Sequence, residues 1–212
     1  MTDSYRTLSA FGEARFTEQK SVFIGRACFC ETEEKALELI KGARNDYPDA
    51  KHHCYAYILG ANEGVIRYSD DGEPGGTAGL PILSLIRSEK LVNCCVVVTR
   101  YFGGILLGTG GLVRAYTQGC RIALAEAKPV WMEKTFHELC EVPYGRWDSV
   151  QYALERLPAR IKDISYAASV SFTLLVRRKD QETVMDALEK ASGRQLEHLE
   201  DEENFEAWDT PS

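Results

Sequence analysis

Between Thr99 and Tyr116 the chain reads T-R-Y-F-G-G-I-L-L-G-T-G-G-L-V-R-A-Y. Glycines at this density let backbone N–H groups come close to a ligand, and a helix start beside them adds unpaired donors and partial positive charge. Arg100, Tyr101, Phe102, Gly103, Gly104, Gly110 and Gly111 form the loop half of a candidate anion or nucleic-acid site. Arg114, Gln118 and Arg121 form the helical half, because residues at that spacing share one helix face. The two arginines flanking the loop would hold phosphates while Tyr101 and Phe102 stack on bases. The chemistry on offer is gripping rather than bond-making. No G-K-S/T follows to complete a phosphate-binding loop of the Walker type, and the G-x-G-x-x-G dinucleotide spacing is absent.

A second loop, D-D-G-E-P-G-G-T-A-G-L-P from Asp70 to Pro81, also leads into a helix. Its carboxylates have three possible uses: capping and shaping the turn, pairing with Arg100 and Arg114, or holding a divalent ion. The later glutamate of an EF-hand is missing, and no metal is assigned. In K-H-H-C-Y-A-Y, from Lys51 to Tyr57, strand alternation points His52 and Cys54 one way and His53 and Tyr55 the other. Cys54 is read as a small core residue, and His53 as a wall of a groove shared with Asp70, Asp71 and Glu73. The nucleophile motif G-x-S-x-G is absent, as are paired histidines at metal-binding helical spacing. No catalytic residue and no cofactor are therefore assigned. Two alternatives stay open: an enzyme acting on a phosphorylated or peptide substrate where His53, Asp70, Asp71 and Arg114 converge, and a protein-interaction module without a chemical site, using Tyr101 and Phe102.

These segments must be held by a scaffold. Residues 11–31 read as two strands about a turn near Glu18, followed by a helix capped by Thr32 and ended by Pro48. His53–Leu59 and Val65–Ser69 read as a hairpin, Thr77–Glu89 as a helix, and Asn93–Thr99 as a strand covered on both faces. A helix over Gly111–Lys128 closes the unit at Pro129. Beyond it, strands over Thr135–Val142, Ile161–Tyr166 and Val170–Val176 alternate with helical stripes. One stripe runs through Trp147, Val150, Leu154 and Leu157; the other is capped by Asp180 and uses Val184, Leu188 and Ala191. A last strand is expected over Arg194–Leu199. The order strand, helix, strand, strand, helix, strand predicts a ferredoxin-like domain. The acidic run Glu197, Glu200, Asp201, Glu202, Glu203, Glu206 and Asp209 reads as a solvated, frayed tail.

At 212 residues with 44% hydrophobic content, the chain can build two cores without covalent staples. The division predicted is 1–130 and 131–212, in the α+β class. Seven cysteines, an odd number with no C-x-x-C pair, fit free thiols in a reducing, cytoplasmic setting. The longest apolar run, Cys94–Val98, is too short to cross a bilayer, and no membrane association is expected. A net charge of −7 excludes a protein coated in basic residues, so nucleic-acid contact must come from a local patch.

Lys20-Ser21-x-Phe23, His53-x-x-Ala56-Tyr57, the run Asp70–Leu83 and the run Val97–Tyr116 together closely resemble the IMPACT family, in particular its bacterial, YigZ-like branch. The likeness covers about residues 15–127, and residues 135–200 resemble the additional C-terminal domain of bacterial members. It implies an N-terminal domain with the fold of the second domain of ribosomal protein S5. It also implies a ferredoxin-like C-terminal domain similar to the last domain of elongation factor G. The function implied is translation-associated regulation through RNA, the ribosome or a regulatory protein partner. Gly75 stands where the family pattern has a serine after Glu-Pro, which weakens any serine-based chemistry.

Overall fold

The computed structural model describes residues 3–208, which divide into two compact units, Ser4–Trp131 and Met132–Trp208. In the first unit β1 (Ser4–Leu8) precedes a five-stranded antiparallel sheet ordered β2–β3–β6–β4–β5. Its strands are β2 (Gly12–Glu18), β3 (Ser21–Phe29), β4 (His52–Leu59), β5 (Val65–Ser69) and β6 (Cys94–Tyr101). The helices are α1 (Glu33–Asp46), α2 (Gly79–Ser88) and α3 (Gly108–Glu126).

Central strand β6 explains the layering. Cys94, Val96 and Val98 alternate into the core under α2 and α3, whereas Cys95 and Val97 face the cluster built on Ala36, Ile40 and Ala43 of α1. A strand buried on both faces needs an unbroken apolar run, and that is what the sequence supplies. Each valine so placed contributes roughly 1.5–3 kcal/mol of burial. Thr32 caps α1, its side chain accepting from the Lys35 N–H at 3.4 Å. Pro81 lies in the first turn of α2, where its missing N–H is harmless.

The β2–β3 turn places Gln19 and Lys20 at φ 44° and 64°, the left-handed pair that matches strand twist in a two-residue hairpin. This turn packs against the loop that leads from β6 into α3. The Gly103 N–H donates to Ser21 Oγ at 3.2 Å, and a Cβ on Gly103 would stand 2.0 Å from the Lys20 carbonyl carbon.

The second unit takes up β7 (Pro129–Val142) from Met132 and continues through α4 (Tyr144–Leu154), β8 (Ala159–Tyr166), β9 (Val170–Arg177), α5 (Gln181–Ala191) and β10 (Glu197–Trp208). Its strands are ordered β10–β7–β9–β8, with β7–β9 and β8–β9 antiparallel. Cys140, Val142, Phe172, Leu174 and Val176 bury one sheet face against Trp147, Val150, Val184 and Leu188 of the helices.

Two expectations need correction, and one strand is additional. The acidic run is not a frayed tail: β10 continues to a buried Trp208, whose Nε1 donates to Thr135 Oγ1 at 2.9 Å; Asp209 lies outside the described residues. Asp180 does not cap α5 with its side chain, because that carboxylate takes the Arg177 guanidinium at 2.6 Å. β1 is a strand the alternation does not announce. Among the described residues, no helix is long and apolar enough to cross a membrane.

Candidate functional site

Arg100 is the first predicted binding residue to change role. It closes β6 on the face of Val96 and Val98 and is only 6% exposed, inside the protein rather than on the loop. Its Nη1 donates to Glu73 Oε1 at 2.8 Å, and the same oxygen accepts from the Tyr116 hydroxyl at 2.7 Å. The rings of Phe23 and Phe102 stand 5.6 and 5.4 Å from the guanidinium carbon. Burial pushes the Tyr116 phenol far up, so it stays protonated and donates. This arrangement ties the acidic loop to β6 and α3 as a structural clasp and leaves Arg100 unavailable to a phosphate.

The rest of the acidic loop is also occupied. Asp70 accepts from the N–H groups of Gly76, Ala78 and Gly79 at 2.8, 3.0 and 2.8 Å, filling the donors at the start of α2. Asp71 accepts from Arg44 and from the His53 backbone N–H, each at 2.7 Å. Burial works against the Asp71 charge, but Arg44 and the His53 N–H win and hold its carboxyl below the ordinary range. With their oxygens so engaged, Asp70, Asp71 and Glu73 are poorly placed to hold a metal. Cys54 is a core residue, its thiol pushed up to about 12 by burial and donating to the Asp70 carbonyl at 3.0 Å. That is not a nucleophile.

His53 Nδ1 lies 3.0 Å from Thr99 Oγ1, and burial, followed by the charge of Arg44, lowers its pKa. It projects to the α1 face of the sheet, as strand alternation from Tyr55 and Tyr57 requires, whereas α3 and Arg114 lie on the other face. The convergence of His53, Asp70, Asp71 and Arg114 in one pocket, which the enzyme reading needs, is not formed.

What does come together is the helical half of the predicted site. Gly111, Arg114, Gln118 and Arg121 line a groove of about 510 Å³ between α3 and the β2–β3 hairpin, whose other walls include Phe16, Glu18, Gln19 and Leu107. Leu112, Tyr116, Cys120 and Ala123 of the same helix are buried, so the groove-facing stripe is the exposed one. Arg114 and Arg121 form no ion pair among the described residues, and the groove holds Glu18 as its one acidic lining residue. The hairpin walls were missed because sequence spacing says nothing about which distant turn meets a helix; the glycine at 103 was the available signal.

The loop glycines divide by conformation. Gly104 and Gly108 sit at φ 83° and 68°, a region that favours glycine, while a Cβ at Gly110 would meet only the Arg114 guanidinium, at 3.7 Å. Tyr101 turns to the α1 side, edge-on to Tyr47 at 6.5 Å, and does not line the groove. Phe102, Ile105 and Leu106 are exposed, Leu106 by 85%.

The chain is similar to known proteins across both units. A family model described as the Impact N-terminal domain matches residues 19–124, and one described as a domain of unknown function (DUF1949) matches 140–194. IMPACT family member YvyE of Bacillus subtilis (strain 168) is 35% identical over 185 residues, covering 85% of this chain and 83% of that protein. IMPACT family member YigZ of Escherichia coli (strain K12) is 35% identical over 154 residues, covering 72% and 76%. A solved structure described as that of an hypothetical protein superposes with a TM-score of 0.60 at 29% identity, covering 94% of this chain and 98% of that one.

Proposed function

Because this chain belongs to the IMPACT family, we propose that it is a cytoplasmic, translation-associated regulatory protein that binds single-stranded RNA, on its own or in the ribosome, along α3. The observation that carries this reading is the exposed stripe Arg114, Gln118 and Arg121 above the groove, with two guanidinium groups outside every ion pair among the described residues and Glu18 as the one carboxylate on the groove wall. The first turn of α3 adds the backbone N–H of Gly110, which precedes the first intrahelical hydrogen bond. We assign the second unit a ferredoxin-like fold from its strand order, and the first the fold of the second domain of ribosomal protein S5 from the family resemblance. Both assignments fit a protein working near RNA, as an analogy of fold.

The test is binding of a fluorescent single-stranded RNA oligonucleotide to the full chain across a salt series. Each phosphate contact to a single strand adds about 0.7 to the slope of log affinity against log salt, so Arg114→Ala with Arg121→Ala should flatten it by about 1.4. Affinity should fall at every salt concentration. Unchanged slope and affinity in the double variant would sink the proposal. Arg100→Ala is no substitute, because it breaks the clasp rather than the binding surface.

A second reading, a protein-docking module, rests on the apolar group Phe102, Ile105 and Leu106 beside the same loop. Leu106→Ser separates the two without adding charge: it would abolish capture of a protein partner and leave RNA affinity unchanged.

A further inference from the structure

The second unit carries a cluster that the RNA reading does not use. On β7, Glu138 and Cys140 are two residues apart, so both project from the same sheet face, and both are buried. His198, on the paired strand β10, brings Nδ1 to 3.1 Å from Glu138 Oε2. The Cys140 thiol, the His198 imidazole and the Glu138 carboxylate offer donor atoms all within 4.8 Å of one another. From the first turn of α5, Gln181 Nε2 donates to the other Glu138 oxygen at 2.7 Å and fixes the carboxylate plane.

We propose that Glu138, Cys140 and His198 form a site for a divalent d-block cation of the zinc class, with water in the fourth position. The donor set selects the ion: one sulfur, one nitrogen and one oxygen suit a tetrahedral, borderline-soft cation and not magnesium or calcium, which demand more oxygens. Ligands about 2.0–2.1 Å from a tetrahedral ion stand about 3.3 Å apart, close to the His198–Glu138 separation of 3.1 Å. Sulfur binds at about 2.3 Å, so the Cys140 thiol, within 4.8 Å of the other two donors, closes on the pair when the ion binds. His198, 46% exposed, sits at the open end, where an ion enters and water completes the shell. Gln181 supplies the outer hydrogen bond that orients a ligating carboxylate. On binding, the Cys140 proton passes to solvent and the thiolate bonds the ion, with no change in oxidation state.

A plain Glu138–His198 ion pair is the rival account, and Cys140 distinguishes them because an ion pair has no need of the thiol. The experiment titrates the chelator-treated full chain with cobalt(II) chloride. The expected result is tetrahedral d–d absorption with a sulfur-to-cobalt charge-transfer band, saturating at one equivalent and displaced by one equivalent of zinc(II). Cys140→Ser should lose the charge-transfer band. His198→Ala, at a surface position that leaves the fold intact by circular dichroism, should weaken cobalt binding at least about tenfold, the lower bound seen even for outer-shell groups. No charge-transfer band in the parent chain overturns the proposal. So does a band that persists in Cys140→Ser, which would place the ion at other thiols such as the Cys28–Cys30 pair, 3.4 Å apart. Equal cobalt affinity in His198→Ala also overturns it, and that arm stands even if Cys140→Ser does not fold.

Discussion

Arg100 and Arg114 show how one residue type takes opposite roles within fifteen positions of chain. Arg100 is enclosed with Glu73, Tyr116 and two aromatic rings, and Arg114 stands free above a groove. Removing one partner of a buried ion pair leaves the other charge stranded, so Arg100→Ala should destabilise the chain by about 3–5 kcal/mol. Arg114→Ala, at a surface site without partners, should stay within about 0.5 kcal/mol. Urea midpoints of the two variants check this, and equal midpoints would refute the distinct roles. The difference was nearly legible in the sequence. Ending the strand at Thr99 leaves Arg100 in the loop; two more strand residues carry it onto the inward face already marked by Val96 and Val98. Glu73 as its partner was one of the pairings the acidic loop offered. That Asp71 would go instead to Arg44 was not legible, because α1 and the loop are distant in sequence and only the folded sheet brings them together.

At the scale of elements, the loop glycines are not interchangeable, and their substitutions should move stability and binding in different directions. Gly103 packs its α-carbon against the hairpin backbone, so Gly103→Ala forces the β2–β3 turn and the loop apart and should cost more than the about 1 kcal/mol typical of point changes. Gly110 lies within α3 with open space about it, so Gly110→Ala should stabilise by about 0.5–1 kcal/mol through helix propensity. If backbone N–H groups at the start of α3 touch RNA, the same Gly110→Ala will also weaken binding, because a methyl group stands off the phosphate. Thermal unfolding and RNA titration of one protein thus give opposite signs; a rise in both would remove the helix start from the site. Periodicity marked α1, α3 and the β4–β5 hairpin well, since each buries a regular stripe. It misread β10, because a run of acids resembles a solvated tail until cross-strand partners are known. In the folded chain Glu203 meets Lys134 and Arg178, and Glu206 meets His137, pairings no local pattern contains.

The molecule as a whole carries −7, so its far field repels polyanions and any RNA contact depends on the short-range patch along α3. Its response to pH is set by groups buried with the scaffold rather than by that patch. The pKa of His53 is lowered first by burial and then by Arg44, both of which disfavour its charged form. Above an ordinary histidine value of about 6.5 both folded and unfolded chains leave it uncharged, and it contributes nothing to the pH slope. As pH falls below that value the unfolded chain takes up the proton while the folded chain resists, so stability declines with falling pH until the folded pKa is passed. Asp71 acts lower down and with the same outcome: its carboxyl is held below the ordinary range, so its stabilisation is full above about 3.9 and is lost as pH falls through the folded value. Urea unfolding at about pH 7.5 and 5.5 should therefore show a loss of stability that His53→Gln reduces, since an uncharged side chain has no proton to take up. The other three histidines are present in both chains and give a shared background, so the difference between the two slopes isolates His53. Parallel slopes would mean that His53 is solvated in the folded protein and that the α1 face of the sheet is open there to water.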